Sequence, residues 1–223
     1  MTESQEFDRW VNTKNSRLWL YGIPGAGKTI LSSLAIEEAL EQCDKSYAVA
    51  FFYCDYKNTA SQSPLNVLGS IASQLAQQSP LCFEKLKAYY ESCNPESAFP
   101  TSPNEHILQK LIQEMAQSFE DVAILVDGLD ECGTTTVEVV ELLIGLSNTA
   151  LNVKTLFASR DEVHIRDLLE DYEKISIAAR SSDLKLYVAS EIELRIRTKK
   201  LRLKSNELRE HIMDKLVNGA DGM

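Results

Sequence analysis

The segment Gly22-Ile23-Pro24-Gly25-Ala26-Gly27-Lys28-Thr29 constrains the fold of this chain more than any other, because it follows the pattern G-x-x-x-x-G-K-[S/T]. A short buried strand is predicted just before it, at Arg17 to Tyr21, and a helix just after it, from Lys28 to about Gln42. Glycines in such a loop let successive backbone N–H groups point into one concavity, and the helix N-terminus adds partial positive charge. The segment is therefore predicted to bind the phosphates of a nucleotide.

Two side chains of this loop have separate predicted roles. Lys28 is expected to reach the β- and γ-phosphates, and the hydroxyl of Thr29 is expected to ligate Mg²⁺. The residues predicted to contact the nucleotide are Gly22, Ile23, Pro24, Gly25, Ala26, Gly27, Lys28, Thr29 and Ile30.

A second motif, Ile124-Leu125-Val126-Asp127-Gly128-Leu129-Asp130-Glu131, places acids at the end of an apolar strand. Burying a carboxylate there is costly unless it has a partner, so Asp127 is predicted to hold the magnesium shell. Of the two acids that follow, Glu131 is the preferred general base and Asp130 the second choice. The alternative for either acid is to cap the next helix or to bind magnesium through water.

A third polar group, Ser159-Arg160, ends the apolar stretch that begins at Thr155. Ligands bind at the carboxyl ends of strands in open α/β sheets, and a guanidinium pairs well with phosphate oxygens. Arg160 is therefore predicted to sense the γ-phosphate. The alternative is an ion pair with Asp161, with Glu162 or with the acids of the second motif.

Apolar strands alternate with helical patterns along most of the chain, which predicts a parallel sheet between two layers of helices. The predicted strands cover residues 17–21, 47–54, 122–127, 153–158 and 173–178. Residues 1–16 are predicted to be a lead-in helix that packs through Phe7, Trp10 and Val11, and residues 17–180 to be the α/β core. Residues 181–223 are predicted to be helical, as the start of a further subdomain.

Composition excludes several classes of function. The formal net charge of -10 argues against binding to nucleic acid or to anionic membranes. No apolar run approaches the length of a transmembrane helix, and the polar start lacks the features of a signal peptide, so a cytoplasmic location is expected. The five cysteines contain no C-x-x-C pair and are expected to be reduced, mostly buried thiols.

Together the three motifs resemble the NACHT domain of the STAND class of signalling NTPases, and the form Asp127-Gly128-Leu129-Asp130-Glu131 is the specific part. Phe7-Asp8-Arg9-Trp10 and Leu18 to Gly25 resemble the fungal, nephrocystin-like branch. This resemblance implies the strand order 5-1-4-3-2. It also implies a switch with an ADP-bound resting form, nucleotide exchange, and an ATP-bound form that self-associates in the full-length protein. Slow hydrolysis of the nucleotide is the leading hypothesis for this chain. Effector and repeat domains usually flank such domains.

The sequence departs from that family at two points. Asp161 stands where relatives often have proline, and the chain stops at Met223 where relatives continue into another helix, so a truncated module without the far-side lid is expected. ATP or ADP is the expected nucleotide, with GTP as the alternative, since the guanine-specific N-K-x-D motif is absent. The rival functions are a non-hydrolysing scaffold that nucleotide stabilises and a metabolic P-loop kinase.

Overall fold

The computed structural model describes residues 4–96, 99–177, 181–201 and 206–219. Its strands are β1 (Arg17–Tyr21), β2 (Tyr47–Tyr53), β3 (Asp121–Asp127), β4 (Val153–Ser159) and β5 (Glu173–Ser176). Its helices are α1 (Gln5–Asn12), α2 (Lys28–Glu41), α3 (Pro64–Gln78), α4 (Pro80–Cys93), α5 (Glu105–Ala116), α6 (Thr136–Thr149), α7 (Val163–Leu168), α8 (Ser181–Arg197) and α9 (Asn206–Gly219). Two 3₁₀ segments, Thr59–Gln62 and Leu129–Thr135, complete it. Ala178, the predicted last residue of β5, lies outside the described residues.

The five strands form one parallel sheet in the order β2-β3-β4-β1-β5. Read from the other edge this is 5-1-4-3-2, so the predicted order is confirmed, with β4 between the strand that precedes the glycine loop and the strand that ends in Asp127. The register pairs Tyr21 with Ser159 and Asp127 with Ala158. The ends of β1, β3 and β4 are therefore level at one edge of the sheet.

Side chains alternate between the two faces of this sheet because the period of a strand is two residues. On one face, apolar side chains join the buried residues of α3, α5 and α6 in one core cluster. The strand residues of this cluster are Trp19, Ala48, Ala50, Val122, Ile124, Val126, Val153 and Phe157. Strand residues of the opposite parity lie outside that cluster and are equally buried; they include Leu18, Leu20, Val49, Ala123, Leu125 and Leu156. Helix α2 contacts β2, β3 and β4. The two-faced burial explains why the strands are continuously apolar.

The open edge of β2 is covered by two glutamines of α3 rather than by another strand. Gln78 accepts from the N–H of Val49 (3.0 Å) and donates to its carbonyl (2.7 Å). Gln74 does the same for Phe51, at 3.0 and 2.7 Å. Gln74 and Gln78 are about one helical turn apart, so their amides lie on the same face of α3. Val49 and Phe51 are two residues apart, so their backbone groups lie on the same side of β2. Each amide is therefore aligned with one residue of the strand. The pair satisfies backbone groups that an edge strand otherwise leaves unpaired.

Helix α1 is attached to the sheet through buried side chains, as its helical spacing predicts. Trp10 donates from its indole N–H to the carbonyl of Thr155 (2.9 Å) and stacks on Phe7, with ring centroids 5.7 Å apart. Lys154 donates to the carbonyl of Val11 (2.7 Å) from an almost fully buried position. These bonds join the lead-in helix to β4, a strand about 145 residues away in sequence.

Contacts between Cα atoms divide the chain into a core unit, Met1–Tyr21 with Gly27–Ser176, and a second unit, Gly22–Ala26 with Ile177–Met223. Within the second unit, α8 and α9 contact each other, and Arg209 pairs with Glu193 at 2.8 Å. The predicted domain boundaries at residues 16 and 180 remain predictions. Among the helices in the described part of the chain, none is long and apolar enough to cross a membrane.

Candidate functional site

Residues 22–26 of the glycine loop belong to the second unit. Gly25 has a φ of 78°, a left-handed conformation that favours glycine. A Cβ on Gly22 would collide with the carbonyl oxygen of Ile177, so only glycine fits there without a shift of the backbone. The spacing of these glycines therefore has a local structural reason in addition to its predicted phosphate role.

Gly27 lies in the core unit and is the N-cap of α2, with φ 92° and ψ 17°. Its carbonyl accepts the first helical hydrogen bond, from the N–H of Leu31 at 3.0 Å. The first turn of α2 carries no acidic residue and begins with Lys28 and Thr29. The N-terminal N–H groups of a helix carry partial positive charge. Such a turn suits an anion such as phosphate.

Asp127 ends β3 as a buried carboxylate that is 6% exposed. The hydroxyl of Ser32 donates to its Oδ1 at 3.0 Å, and the hydroxyl of Thr29 also hydrogen-bonds it. Burial raises the pKa of Asp127, and the hydrogen bonds from Thr29 and Ser32 and the charge of Lys28 oppose that rise. Thr29 and Asp127, the two predicted magnesium ligands, are thus brought together by the fold. A hydroxyl and a carboxylate are oxygen donors of the kind that Mg²⁺ accepts.

Gly128 is the residue that turns the chain away from β3 after Asp127. Its φ is 76°, and a Cβ on it would lie 2.9 Å from the carbonyl oxygen of Cys54. Its N–H donates to the carbonyl of Ala158 (2.9 Å), and its carbonyl accepts from the N–H of Glu131 (2.8 Å). Glycine is therefore needed at this position for both conformation and space, and the turn brings the two following acids back to the sheet edge.

Asp130 and Arg160 are joined by two hydrogen bonds. The Asp130 carboxylate accepts the backbone N–H of Arg160 on Oδ1 (2.8 Å) and the guanidinium Nε on Oδ2 (3.0 Å). The Asp130 side chain is 4% exposed, whereas that of Arg160 is 48% exposed. In this arrangement both carboxylate oxygens of Asp130 bond Arg160, and about half of the Arg160 side chain is exposed to solvent. The contact is the ion pair that the sequence left open as an alternative for Arg160.

Glu131 faces the loop that follows β2. Its Oε2 accepts the backbone N–H of Tyr56 at 3.1 Å. The side chain is half-buried, in contrast to the enclosed carboxylate of Asp130. Since Cys54 N–H also donates to the carbonyl of Asp127 (2.9 Å), the segment after β2 supports the whole turn that carries the acids.

Ser159 is fully buried and bonds within the core. Its hydroxyl accepts the indole N–H of Trp19 (2.9 Å) and donates to the carbonyl of Arg160 (2.8 Å). Ser159 therefore shapes the backbone that presents Arg160. The residues that the sequence did not single out are Ser32 and the backbone of Tyr56. Ser32 follows Thr29 by three positions, a spacing that places both on one helix face. No local pattern marks Tyr56.

The core unit thus brings together the start of α2, the contact between Thr29 and Asp127, the turn that carries Asp130 and Glu131, and the side chain of Arg160. They lie at the carboxyl ends of adjacent parallel strands. This edge is where ligands bind in open α/β sheets. In the described residues, no cluster of three or more histidine, cysteine or acidic side chains is arranged to hold a metal ion. The strand order, with the glycine loop after β1, defines the fold class as that of the P-loop NTPases.

Within that class, the chain belongs to the family described as nephrocystin 3, N-terminal, whose sequence pattern matches residues 1–160. A curated relative is the vegetative incompatibility protein HET-E-1 of Podospora anserina, which is 26% identical over 171 residues. These two matches confirm the resemblance to the fungal, nephrocystin-like NACHT proteins. The aligned region is 74% of this chain and only 12% of HET-E-1, so the chain spans about an eighth of that relative.

Solved structures share the fold at low sequence identity. A Walker-type ATPase of Pyrococcus abyssi superimposes with a TM-score of 0.54 and 12% identity, over 97% of this chain and 64% of the other. The ORC1 protein of Aeropyrum pernix, solved in complex with DNA, gives a TM-score of 0.50 and 16% identity, over 85% of this chain and 47% of the other. At these identities the likeness establishes the fold alone.

Proposed function

We propose that this chain is the nucleotide-binding switch module of a signalling NTPase and that it binds ATP, with GTP as the alternative, together with Mg²⁺. The observation that carries the proposal is the contact between Thr29 and the buried Asp127 carboxylate at the N-terminus of α2. A buried carboxylate whose pKa is raised by burial is costly in the protein without ligand, and a divalent cation offsets that cost.

The proposed roles of the chain's residues rest on the sequence motifs and on the contacts within the core unit. The loop from Gly22 to Thr29 binds the phosphates through backbone N–H groups, and Lys28 pairs with the β- and γ-phosphates. Thr29 and Asp127 hold the magnesium shell. The ion, when bound, neutralises charge that develops on the phosphate oxygens. Ile30 lies in the same first turn of α2, next to the predicted nucleotide contacts.

Slow hydrolysis is the proposed reaction. Water attacks the γ-phosphorus in line with the β–γ bridging oxygen, the new P–O bond forms as the bridging bond breaks, and the nucleoside diphosphate leaves. Glu131 is the proposed base. Its Oε2 is held by the N–H of Tyr56, so Oε1 is the atom that accepts the proton of the water. Both oxygens of Asp130 bond Arg160, so Asp130 is a positioning residue and Arg160 the γ-phosphate sensor.

Binding is tested with Lys28→Ala in titration calorimetry against ATP and GTP in the presence of Mg²⁺. The expected result is loss of measurable binding, because Lys28 supplies the charge that faces the phosphates. Lys110→Ala, an exposed lysine on α5, is the control and keeps the wild-type affinity. Unchanged affinity of the Lys28 variant would refute the proposed site. Chromatography of nucleotide released from the denatured protein identifies the base and the phosphate count.

Hydrolysis is tested with Glu131→Gln, which removes the base and keeps the shape of the side chain. Turnover is expected to fall about 100-fold or more, with nucleotide affinity retained. Glu138→Gln, an exposed acid in the first turn of α6, is the matched control. Equal turnover in the wild type and the Glu131 variant would favour the scaffold, in which nucleotide only stabilises the fold. Self-association belongs to the full-length form and is measured there by light scattering with ADP and with ATP.

A further inference from the structure

Two cysteine side chains meet beneath the acidic turn. Cys54 directly follows β2, and Cys132 directly follows Glu131 in the 3₁₀ segment after β3. Their sulfur atoms are 3.3 Å apart and share a hydrogen bond, although 78 positions separate the two residues in sequence. Both are free thiols with side chains almost fully buried. The contact is a property of the fold that no cysteine spacing in the sequence indicates.

Two other cysteines bond differently. Cys43 donates to the side-chain oxygen of Gln78 (3.4 Å), and Cys82 donates to the carbonyl of Met115 (3.4 Å). Each therefore contacts an oxygen atom. Cys54 and Cys132, in contrast, contact each other, which is the arrangement from which a disulfide forms.

We propose that Cys54 and Cys132 are a redox modification site whose oxidant is a small peroxide. In the first step a thiol loses its proton, and the thiolate sulfur attacks one peroxide oxygen. The O–O bond breaks, a sulfenic acid forms, and the hydroxide that leaves takes up that proton to become water. In the second step the other thiol attacks that sulfur, the S–O bond breaks, and a second water leaves. Two thiols and hydrogen peroxide thus become one disulfide and two waters. The small oxidant is required because Cys54 is only 7% exposed and Cys132 is 1% exposed.

The disulfide connects two segments that already support the acidic turn. A disulfide bond is about 2.05 Å long, so the two sulfurs must approach each other by about 1 Å from their present 3.3 Å. Around them, Cys54 N–H bonds the carbonyl of Asp127, and Tyr56 N–H bonds the carboxylate of Glu131. The residue that moves on one side is adjacent to Glu131. Oxidation therefore locks the turn and displaces the side chain proposed as the base.

The enclosure of the pair makes its oxidation slow. Because Cys54 is 7% exposed and Cys132 is 1% exposed, a peroxide reaches either sulfur only when the turn opens transiently. Nucleotide that holds the turn closed is expected to slow the reaction.

The test treats the full chain with hydrogen peroxide and maps the products by peptide mass spectrometry and by thermal unfolding. The expected product is one intramolecular bond between Cys54 and Cys132, and an unfolding temperature higher by about 5–15 °C, which reduction by dithiothreitol reverses. Cys132→Ala is expected to stop at a sulfenic acid on Cys54 that a dimedone probe traps. Cys43→Ala is the control and retains both the bond and the shift. Absence of the Cys54–Cys132 bond in the wild type, or the bond without a thermal shift, would overturn the proposal.

The effect on catalysis depends on the proposed function and is measured separately. Oxidation is expected to lower turnover about 10–100-fold, because a displacement near 1 Å misaligns the base. Nucleotide affinity is expected to stay within about twofold, because Lys28 and Thr29 lie outside the cross-linked turn. If the reduced protein has no turnover, the hydrolytic function fails, and the mapped bond and the thermal shift still decide the redox site. If the disulfide form hydrolyses nucleotide at the same rate as the thiol form, the proposed displacement of Glu131 is wrong.

Discussion

The glutamine pair on α3 leads to a quantitative prediction about stability. Gln78 makes two hydrogen bonds to the backbone of Val49, and its Oε1 also accepts from the thiol of Cys43. Gln78→Met keeps the length of the side chain and a good helix former but removes the amide. Since a net hydrogen bond contributes about 0.5–1.5 kcal/mol, the loss of the two bonds to Val49 alone should cost about 1–3 kcal/mol. For a chain of this size that lowers the unfolding temperature by about 3–10 °C.

The assay is urea unfolding, monitored by circular dichroism. The urea concentration at the midpoint and the slope of the unfolding free energy against urea concentration are fitted separately. The midpoint is expected to fall while the slope is retained, because the surface exposed on unfolding is nearly unchanged. Gln77→Met is the matched control, since Gln77 is adjacent in the same helix and exposed; it should change stability by less than about 0.5 kcal/mol. Equal midpoints for the two variants would refute the edge-covering role. The double variant at Gln74 and Gln78 should also self-associate, because it uncovers the edge of β2.

Two further predictions concern the candidate site. Burial raises the pKa of Asp127 above its ordinary 3.8, so this group's contribution to stability is present in full below about pH 4 and is lost as pH rises through the raised value. Asp127→Asn should therefore stabilise the nucleotide-free protein by about 0.5–2 kcal/mol at pH 7 and not at pH 4, in thermal unfolding followed across pH; a pH-independent difference would contradict this. Gly128→Ala should lower the free energy of unfolding by about 1–3 kcal/mol in urea unfolding, because the φ of Gly128 is positive and the carbonyl of Cys54 leaves no room for a Cβ. Gly69→Ala in α3, where a Cβ meets open space, should raise the free energy of unfolding by about 0.5–1 kcal/mol. Equal effects at the two glycines would contradict the strain at position 128.

Local patterns account for the elements of the fold and for part of the site. The bounds of β1 agree with the predicted residues, and α2 ends one residue before its predicted end, because the apolar period and the flanking turn residues act within a few positions. The strand order came from the family resemblance, and the sheet confirmed it. The glycine loop was readable from sequence because its conformational demands are local, as the positive φ of Gly25 and Gly27 illustrates.

Other features of the site depend on which strand ends are neighbours. The sequence offered Asp130 and Arg160 each a choice of roles, and only the adjacency of β3 and β4 placed the Asp130 carboxylate on both the backbone and the guanidinium of Arg160. The contact of Ser32 with Asp127 requires the packing of α2 against β3. Neither partner carries a local signal of the other, since they are 30 and 95 positions apart.

The sequence by itself determined that this chain has a phosphate-type glycine loop before a helix, an acid after a buried strand, and enough alternating strands and helices for a parallel sheet. These properties follow from short-range periodicity and from the backbone freedom of glycine. The tertiary structure alone decided that Cys54 meets Cys132, that two glutamines cover β2, and that Glu131 is held by the loop after β2. The physical reason is that such contacts join residues far apart in the chain, and strand order and register, which no local pattern encodes, determine which of them come within bonding distance.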